Sequence, residues 1–175
     1  HARLEAIVAN INSTSPEKSL IYPKDVNEEK VVETLRSVHS PDMVQAIKDA
    51  SLSVELGETT TTQFDPEASE SYTRIDSETY YAALYSAESA INAAQALKEG
   101  KKLTLSISRP PGHHAGRNFY HGFCYFNNAA AAAETLREDN QKVAILDIDV
   151  HHGDGTQDIF YDNPDVFFAS LHADP

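Results

Sequence analysis

An α/β fold organised around a parallel sheet is the architecture this sequence predicts. Residues 143–146 form a short continuous apolar run, as in a strand buried on both faces of such a sheet, and the apolar segment 103–107 reads as another buried strand. Between them lies an alanine-rich stretch, residues 129–137, whose small side chains suit a helix packed closely on strands. Strand, helix and strand in that order make a right-handed βαβ unit the expected topology.

The helices announce themselves by their ends. Asn27 is placed to cap a helix running through Val38, with Glu28 and Glu29 in its positive first turn. Ser40-Pro41 opens the next, because proline is tolerated at the first helical position. Leu84, Ala87, Ile91 and Ala94 form one stripe of a helix over residues 77–98, and Gly100 falls just past its end. Asn127 or Asn128 opens the alanine-rich helix. Residues 58–76 are acidic, rich in Thr and Ser, and without periodicity, so they read as a long loop.

Composition narrows the function. The chain has 175 residues, enough for one modest domain, and its 41% hydrophobic content excludes a disordered tail. No apolar run approaches the roughly twenty residues of a membrane span, and no signal-peptide pattern is visible. A single cysteine, Cys124, precludes an internal disulfide and suits the reducing cytoplasm; set in an apolar run, it reads as a small core residue. The net charge of −13 argues against nucleic-acid binding, since phosphates would be repelled. It is compatible with a cationic partner, although most of these acids need do no more than keep the chain in solution.

The most informative stretch is Asp147-Ile148-Asp149-Val150-His151-His152-Gly153-Asp154. Aspartate is depleted in strands and costly to bury unpaired, so two of them directly after a core strand call for a cation or several donors. Strand alternation would point Asp147, Asp149 and His151 the same way at the carboxyl end of the strand, where open α/β sheets build their sites. Carboxylate oxygen and imidazole nitrogen suit zinc. A catalytic zinc takes three protein ligands and keeps one position open, and Asp149 and His151 would be two of the three. A second constellation, Arg109-Pro110-Pro111-Gly112-His113-His114-Ala115-Gly116, is a rigid non-helical loop presenting two imidazoles to one cleft. Each of those histidines needs an acceptor on its other ring nitrogen, and the aspartates can supply it. His39, His121, His152 and His172 are expected to be structural, with His152 and His172 nearest the site.

These stretches, with Gly122-Phe123-Cys124-Tyr125-Phe126-Asn127-Asn128 and the segment from Gly155-Thr156-Gln157 to Ser170-Leu171-His172, closely resemble the histone deacetylase superfamily of zinc-dependent amidohydrolases. Within it they look most like the bacterial acetylpolyamine amidohydrolase branch. The resemblance implies an arginase/deacetylase-like parallel sheet sandwiched by helices. Residues 1–175 would be the N-terminal part of that catalytic domain, truncated at both ends.

Carried over position by position, the resemblance makes Asp149 and His151 zinc ligands and His113 and His114 the tandem active-site histidines. His114 would be general base and acid, oriented by Asp154, while His113, held by Asp147, would act electrostatically. Gly122 and Phe123 would line a narrow acyl-lysine channel. Potassium would bind beside the zinc at Asp147, Asp149, His151, Ser170 and Leu171, and again at Phe160, Asn163 and Val166. The family draws its third zinc ligand, an aspartate, and its transition-state tyrosine from farther downstream than Pro175.

The expected reaction is hydrolysis of the acetyl amide of small cationic acetylated amines, acetylpolyamines in preference to acetyl-lysine. The loop at 58–76 would lie over the substrate entrance or in a subunit contact, such as a homodimer would need. Two other readings compete. Arginase-like ureohydrolases share the fold, but their two-manganese sites need extra aspartate and histidine ligands in place of the tandem-histidine loop, so residues 109–116 count against them. A catalytically incomplete binding or assembly module is the other, and it would have no physical need for so much of the catalytic set.

Overall fold

The computed structural model describes residues 2–14, 26–138 and 141–174. Its elements are α1 Ala2–Thr14, α2 Glu28–Val38, α3 Pro41–Ser53, α4 Thr79–Lys98, α5 Asn128–Arg137, β1 Val143–Asp147, α6 Asp154–Phe160 and β2 Val166–Ser170.

Three helix starts follow from side chains that accept orphan backbone donors. Asn27 accepts from Lys30 N at 3.2 Å, Ser40 from Met43 N at 3.2 Å, and Asn127 from Ala130 N at 3.0 Å. Asn127, not Asn128, is thus the cap of α5. α4 begins at Thr79, two residues later than the apolar stripe suggests, because Asp76 and Thr79 close a turn on each other: Asp76 N donates to Thr79 Oγ1 at 2.9 Å and Thr79 Oγ1 to Asp76 Oδ1 at 2.8 Å. Its other end stops at Gly100, at φ +94°, where Lys101 N reaches back to Ala96 O at 3.0 Å and Gly100 N to Leu97 O at 2.9 Å. α1 was not foreseen; Leu4, Val8 and Ile11 are its half-buried stripe.

The predicted stripe of α4 is buried throughout. Its Leu84, Ala87 and Ile91 join Leu35, Met43, Ile47, Tyr80 and Phe126 in one core, and a second core gathers Val38, Ala130, Ala133, Ile159, Phe160 and Val166 under the sheet. Alanines on α5 let that helix lie close against α4 and β1.

Two strand expectations need correction. Residues 103–107 form no ladder among the described residues; the parallel pair is β1 with β2, from Val143 opposite Val166 to Asp147 opposite Ser170, with α6 in the connection. The 103–107 segment instead runs along α4, where Thr104 Oγ1 donates to Ala93 O at 3.0 Å and Ser106 pairs with Ser89 at 2.8 Å, while Leu103 and Leu105 face outward. Apolar content marks an extended segment, but only a partner with free backbone groups makes it a strand. Nor is β1 buried on both faces. Val143 and Ile145 pack inward, whereas Leu146 is 63% exposed, because α5 and α6 cover one side only among the described residues.

The 58–76 loop is a loop, closed at its neck by an antiparallel bridge in which Thr60 and Ile75 exchange two 2.8 Å backbone bonds. It leans on residues 120–125. Tyr120 N donates to Phe64 O at 3.0 Å, Thr62 N to the Tyr120 hydroxyl at 3.1 Å, and the Tyr125 hydroxyl to Arg74 O.

Candidate active site

β1 ends at Asp147, so strand alternation does not carry the acidic run any further. Two successive turns do the work instead. Asp149 N donates to Asp147 Oδ1 at 3.0 Å, and His151 N donates to Asp149 Oδ1 at 2.8 Å. Each aspartate caps the backbone two residues on, the habit that makes Asp a turn residue. Turns, not the strand alternation expected from the sequence, link Asp147, Asp149 and His151. The same ladder edge brings in β2, where Leu171 N donates to Asp147 O at 2.9 Å. Asp147, Asp149, His151, Ser170 and Leu171 therefore share one corner, while Phe160, Asn163 and Val166 share the tight turn after α6, where Asn163 N donates to Phe160 O at 3.0 Å.

The tandem histidines arrive from the opposite side on the 109–116 loop. Thr156 N, in the first turn of α6, donates to His113 O at 3.1 Å and ties that loop to the acidic run. His113 Nδ1 then meets Asp147 Oδ2 at 2.8 Å, and His114 Nδ1 meets Asp154 Oδ1 at 2.6 Å. The paired rings lie 4.0 Å apart between centroids. His113 Nε2 also comes to 3.9 Å from Asp149 Oδ1. Gly153 is required for this approach: a Cβ there would stand 2.3 Å from Asp147 Oδ2.

Asp149 Oδ1 and His151 Nδ1 are 3.2 Å apart. Two ligands each about 2.0–2.1 Å from a tetrahedral zinc stand about 3.3 Å from one another, so this pair fits a single ion. The His151 backbone N–H holds the Asp149 carboxyl below its ordinary pKa against the opposing effect of burial, with help from His113 and the His151 ring. An ionised carboxylate is the form a metal needs.

His121 is the residue that sequence reasoning placed wrongly. Its Nε2 lies 2.7 Å from Asp154 Oδ2, so Asp154 is held by two imidazoles, one on each oxygen. Burial alone would raise the Asp154 pKa; the bonds to His114 and His121 reverse that and keep it well below the usual carboxylate range. The Asp154 bond raises the pKa of His121 in turn, opposed by burial and reinforced by the charges of Asp154, Glu67 and Asp65. His152 and His172 are farther out, bonded to Gln157 at 3.0 Å and Ser170 at 2.9 Å. The one available signal for His121 was its place directly before Gly122-Phe123.

Gly122 and Phe123 both have left-handed backbones, at φ +58° and +64°, a strained arrangement for phenylalanine. Thr73 Oγ1 accepts the Phe123 amide at 2.8 Å, and Cys124 N closes the turn on His121 O at 2.9 Å. Phe123 is thereby presented to solvent, 59% exposed. Cys124 is buried, its thiol pushed up to about 12 by burial, which fits a packing role. His39 is structural too. Fully buried, it is pushed down to about 4, bonds Gly116 O through Nδ1 at 2.7 Å and accepts Asn127 N through Nε2 at 2.9 Å.

A parallel sheet end carrying paired His–Asp contacts, beside a carboxylate and an imidazole at metal-ligand spacing, is the arrangement a metal-assisted hydrolytic site would need. The chain belongs to the histone deacetylase domain family, whose pattern matches residues 1–175. It is 55% identical over 104 residues to the acetylpolyamine amidohydrolase of Mycoplana ramosa, a match covering 59% of this chain and 30% of that protein. It is 37% identical over 177 residues to histone deacetylase HDA1 of Candida albicans, covering 97% of this chain and 20% of the relative. Among solved structures, an acetylpolyamine aminohydrolase from Burkholderia pseudomallei aligns with TM-score 0.81 and 30% identity over 99% of this chain and 55% of that one. The HD domain of HDA15 aligns with TM-score 0.77 and 32% identity over 97% of this chain and 45% of its own. The matched stretches thus span 30% of the first of these curated relatives and 20% of the second.

Proposed function

We propose that residues 1–175 form the N-terminal part of a zinc-dependent catalytic domain that hydrolyses the acetyl amide of acetylated amines. The observation that carries this reading is the convergence of two His–Asp pairs, His113–Asp147 and His114–Asp154, on the corner holding Asp149 and His151. Asp149 and His151 would hold zinc, whose role when bound is Lewis-acid polarisation of the amide carbonyl and of water.

The chain's own residues handle the proton. Asp154 accepts the Nδ1–H of His114, which leaves His114 Nε2 as the basic nitrogen. In attack Nε2 takes a proton from water, and in collapse it returns that proton to the departing amine. Asp147 orients His113 in the same way, so that His113 adds positive potential beside the developing oxyanion. Gly122 and Phe123 would form the wall along which the acyl chain enters. Potassium at the two carbonyl-rich corners would stiffen the acidic run and the turn after α6.

Acetylpolyamines are the preferred substrates in this reading, supported by the identity to the Mycoplana ramosa enzyme and by the net charge of −13, which favours cations. Acetyl-lysine in protein is the alternative, supported by the likeness to histone deacetylase HDA1. A cytoplasmic setting and a homodimer complete the proposal; no helix among the described residues is long and apolar enough to cross a membrane. The deciding assay sets acetylputrescine against an acetyl-lysine peptide with full-length protein. Turnover of the peptide alone would reverse the substrate ranking, and turnover of neither would remove the hydrolase reading.

A further inference from the structure

Asp154 does more than accept a bond from His114. It is shared, and its second partner comes from the short loop that joins the tandem histidines to Gly122. His121 Nε2 sits 2.7 Å from Asp154 Oδ2 while His114 Nδ1 sits 2.6 Å from Oδ1. The three groups lie close enough to suggest a metal site. Their spacing argues otherwise: contacts of 2.6 and 2.7 Å are hydrogen-bond lengths, whereas two ligands on one tetrahedral ion stand about 3.3 Å apart.

A carboxylate held at one oxygen only can rotate about its last bond and trade its partner for water. Asp154 has that freedom available, because its side chain is 36% exposed. A second donor from a separate segment removes it. His121 is itself fixed in plane, stacked between Phe119 at 5.8 Å and His114 at 4.8 Å. The charged groups around it are Asp154, Asp65 and Glu67, all negative, and they favour its protonated form. Its bond to Asp154 is then charge-assisted, about twice as strong as a neutral one.

We propose that His121 is a positioning residue that, by holding the second oxygen of Asp154, locks the carboxylate in the orientation that receives His114 Nδ1–H and so fixes the His114 tautomer. Its kinetic consequence rests on the amidohydrolase reading above; the contact itself does not.

The test compares His121→Ala with His121→Gln in the full-length protein, with two readouts. On acetylputrescine, His121→Ala lowers kcat about tenfold, the lower range for residues that orient a working ligand or base, with KM changed by less than about twofold. His121→Gln keeps an N–H donor and recovers most of the loss. Independently of any substrate, NMR of nitrogen-labelled imidazoles reports a single Nδ1–H tautomer for His114 in the wild type and in His121→Gln, and a mixture in His121→Ala. An unchanged His114 tautomer in His121→Ala overturns the proposal, and so does unchanged kcat in an active enzyme. A lowered melting temperature with both readouts unchanged overturns it as well, since that is a purely structural residue. A protein that turns over no acetylated amine sinks the amidohydrolase reading alone, and the tautomer measurement still decides the role of His121.

Discussion

Gly122 lies flat against the ring of His114, so close that a Cβ on Gly122 would stand 2.3 Å from His114 Cδ2. A side chain at this position has nowhere to go, and φ of +58° makes it strained besides. Gly122→Ala is expected to cost about 1–2 kcal/mol of stability from the left-handed backbone. Displacing His114 by about 1 Å would lower kcat by roughly a hundredfold. Calorimetry and kinetics on the same preparation check both, and a fully active variant would show that the ring is free to move.

Asp154→Asn keeps the shape of the side chain and removes the charge that His114 and His121 share. The amide presents a donor to one imidazole where an acceptor is needed. A fall in kcat of at least about a hundredfold is expected, with zinc content unchanged. Loss of zinc in this variant would mean that Asp154 belongs to the metal site instead.

Asp149 and His151 make a claim on metal that elemental analysis can read directly. Replacing either by alanine should lower bound zinc from about one per chain to a small fraction, because each change removes one of the few protein ligands of a single ion. Treatment of the wild type with a chelator should abolish turnover, and zinc alone should restore it. Retention of zinc by both alanine variants would relocate the site.

Asn127 is wholly buried and satisfied in every direction. Its Oδ1 accepts Ala130 N, and its Nδ2 donates to Ala115 O and to Thr156 Oγ1, each at 3.0 Å. It thus joins α5, the tandem-histidine loop and α6. Asn127→Ala removes a cap and strands two buried acceptors, an expected loss of about 2–4 kcal/mol. Chemical denaturation measures it, and a loss under about 1 kcal/mol would mean that water replaces the amide there.

His39 gives the fold a specific acid sensitivity. Burial pushes its pKa from 6.5 to about 4, so between those values the unfolded chain binds the proton that the folded one refuses. Stability from this group is therefore complete above pH 6.5 and falls as pH drops to about 4, by about 3 kcal/mol in all. His39→Gln, which can keep both bonds without titrating, should close the stability gap with wild type by most of that amount between pH 7 and pH 4. A gap independent of pH would place a charged His39 in the fold.

Much of this molecule is determined by its sequence alone, where the cause is local. Asn27, Ser40 and Asn127 cap helices through donors three residues away, Gly100 ends α4 by its own backbone, and the stripe of Leu84, Ala87, Ile91 and Ala94 needs only the helical period. The candidate site residues stood out for a similar reason, since Asp, His and Gly at close spacing have few structural uses together. Tertiary structure alone decided three things. Residues 103–107 have the composition of a strand but form no ladder among the described residues, because hydrogen-bond partners come from elsewhere in the chain. Leu146 is apolar yet exposed, because burial depends on what covers the second face of the sheet. His121 meets Asp154 across 33 residues of chain, and no pattern of neighbours encodes that contact. Local interactions are written in adjacent residues, while a contact between distant segments exists only once packing has brought them within hydrogen-bond reach.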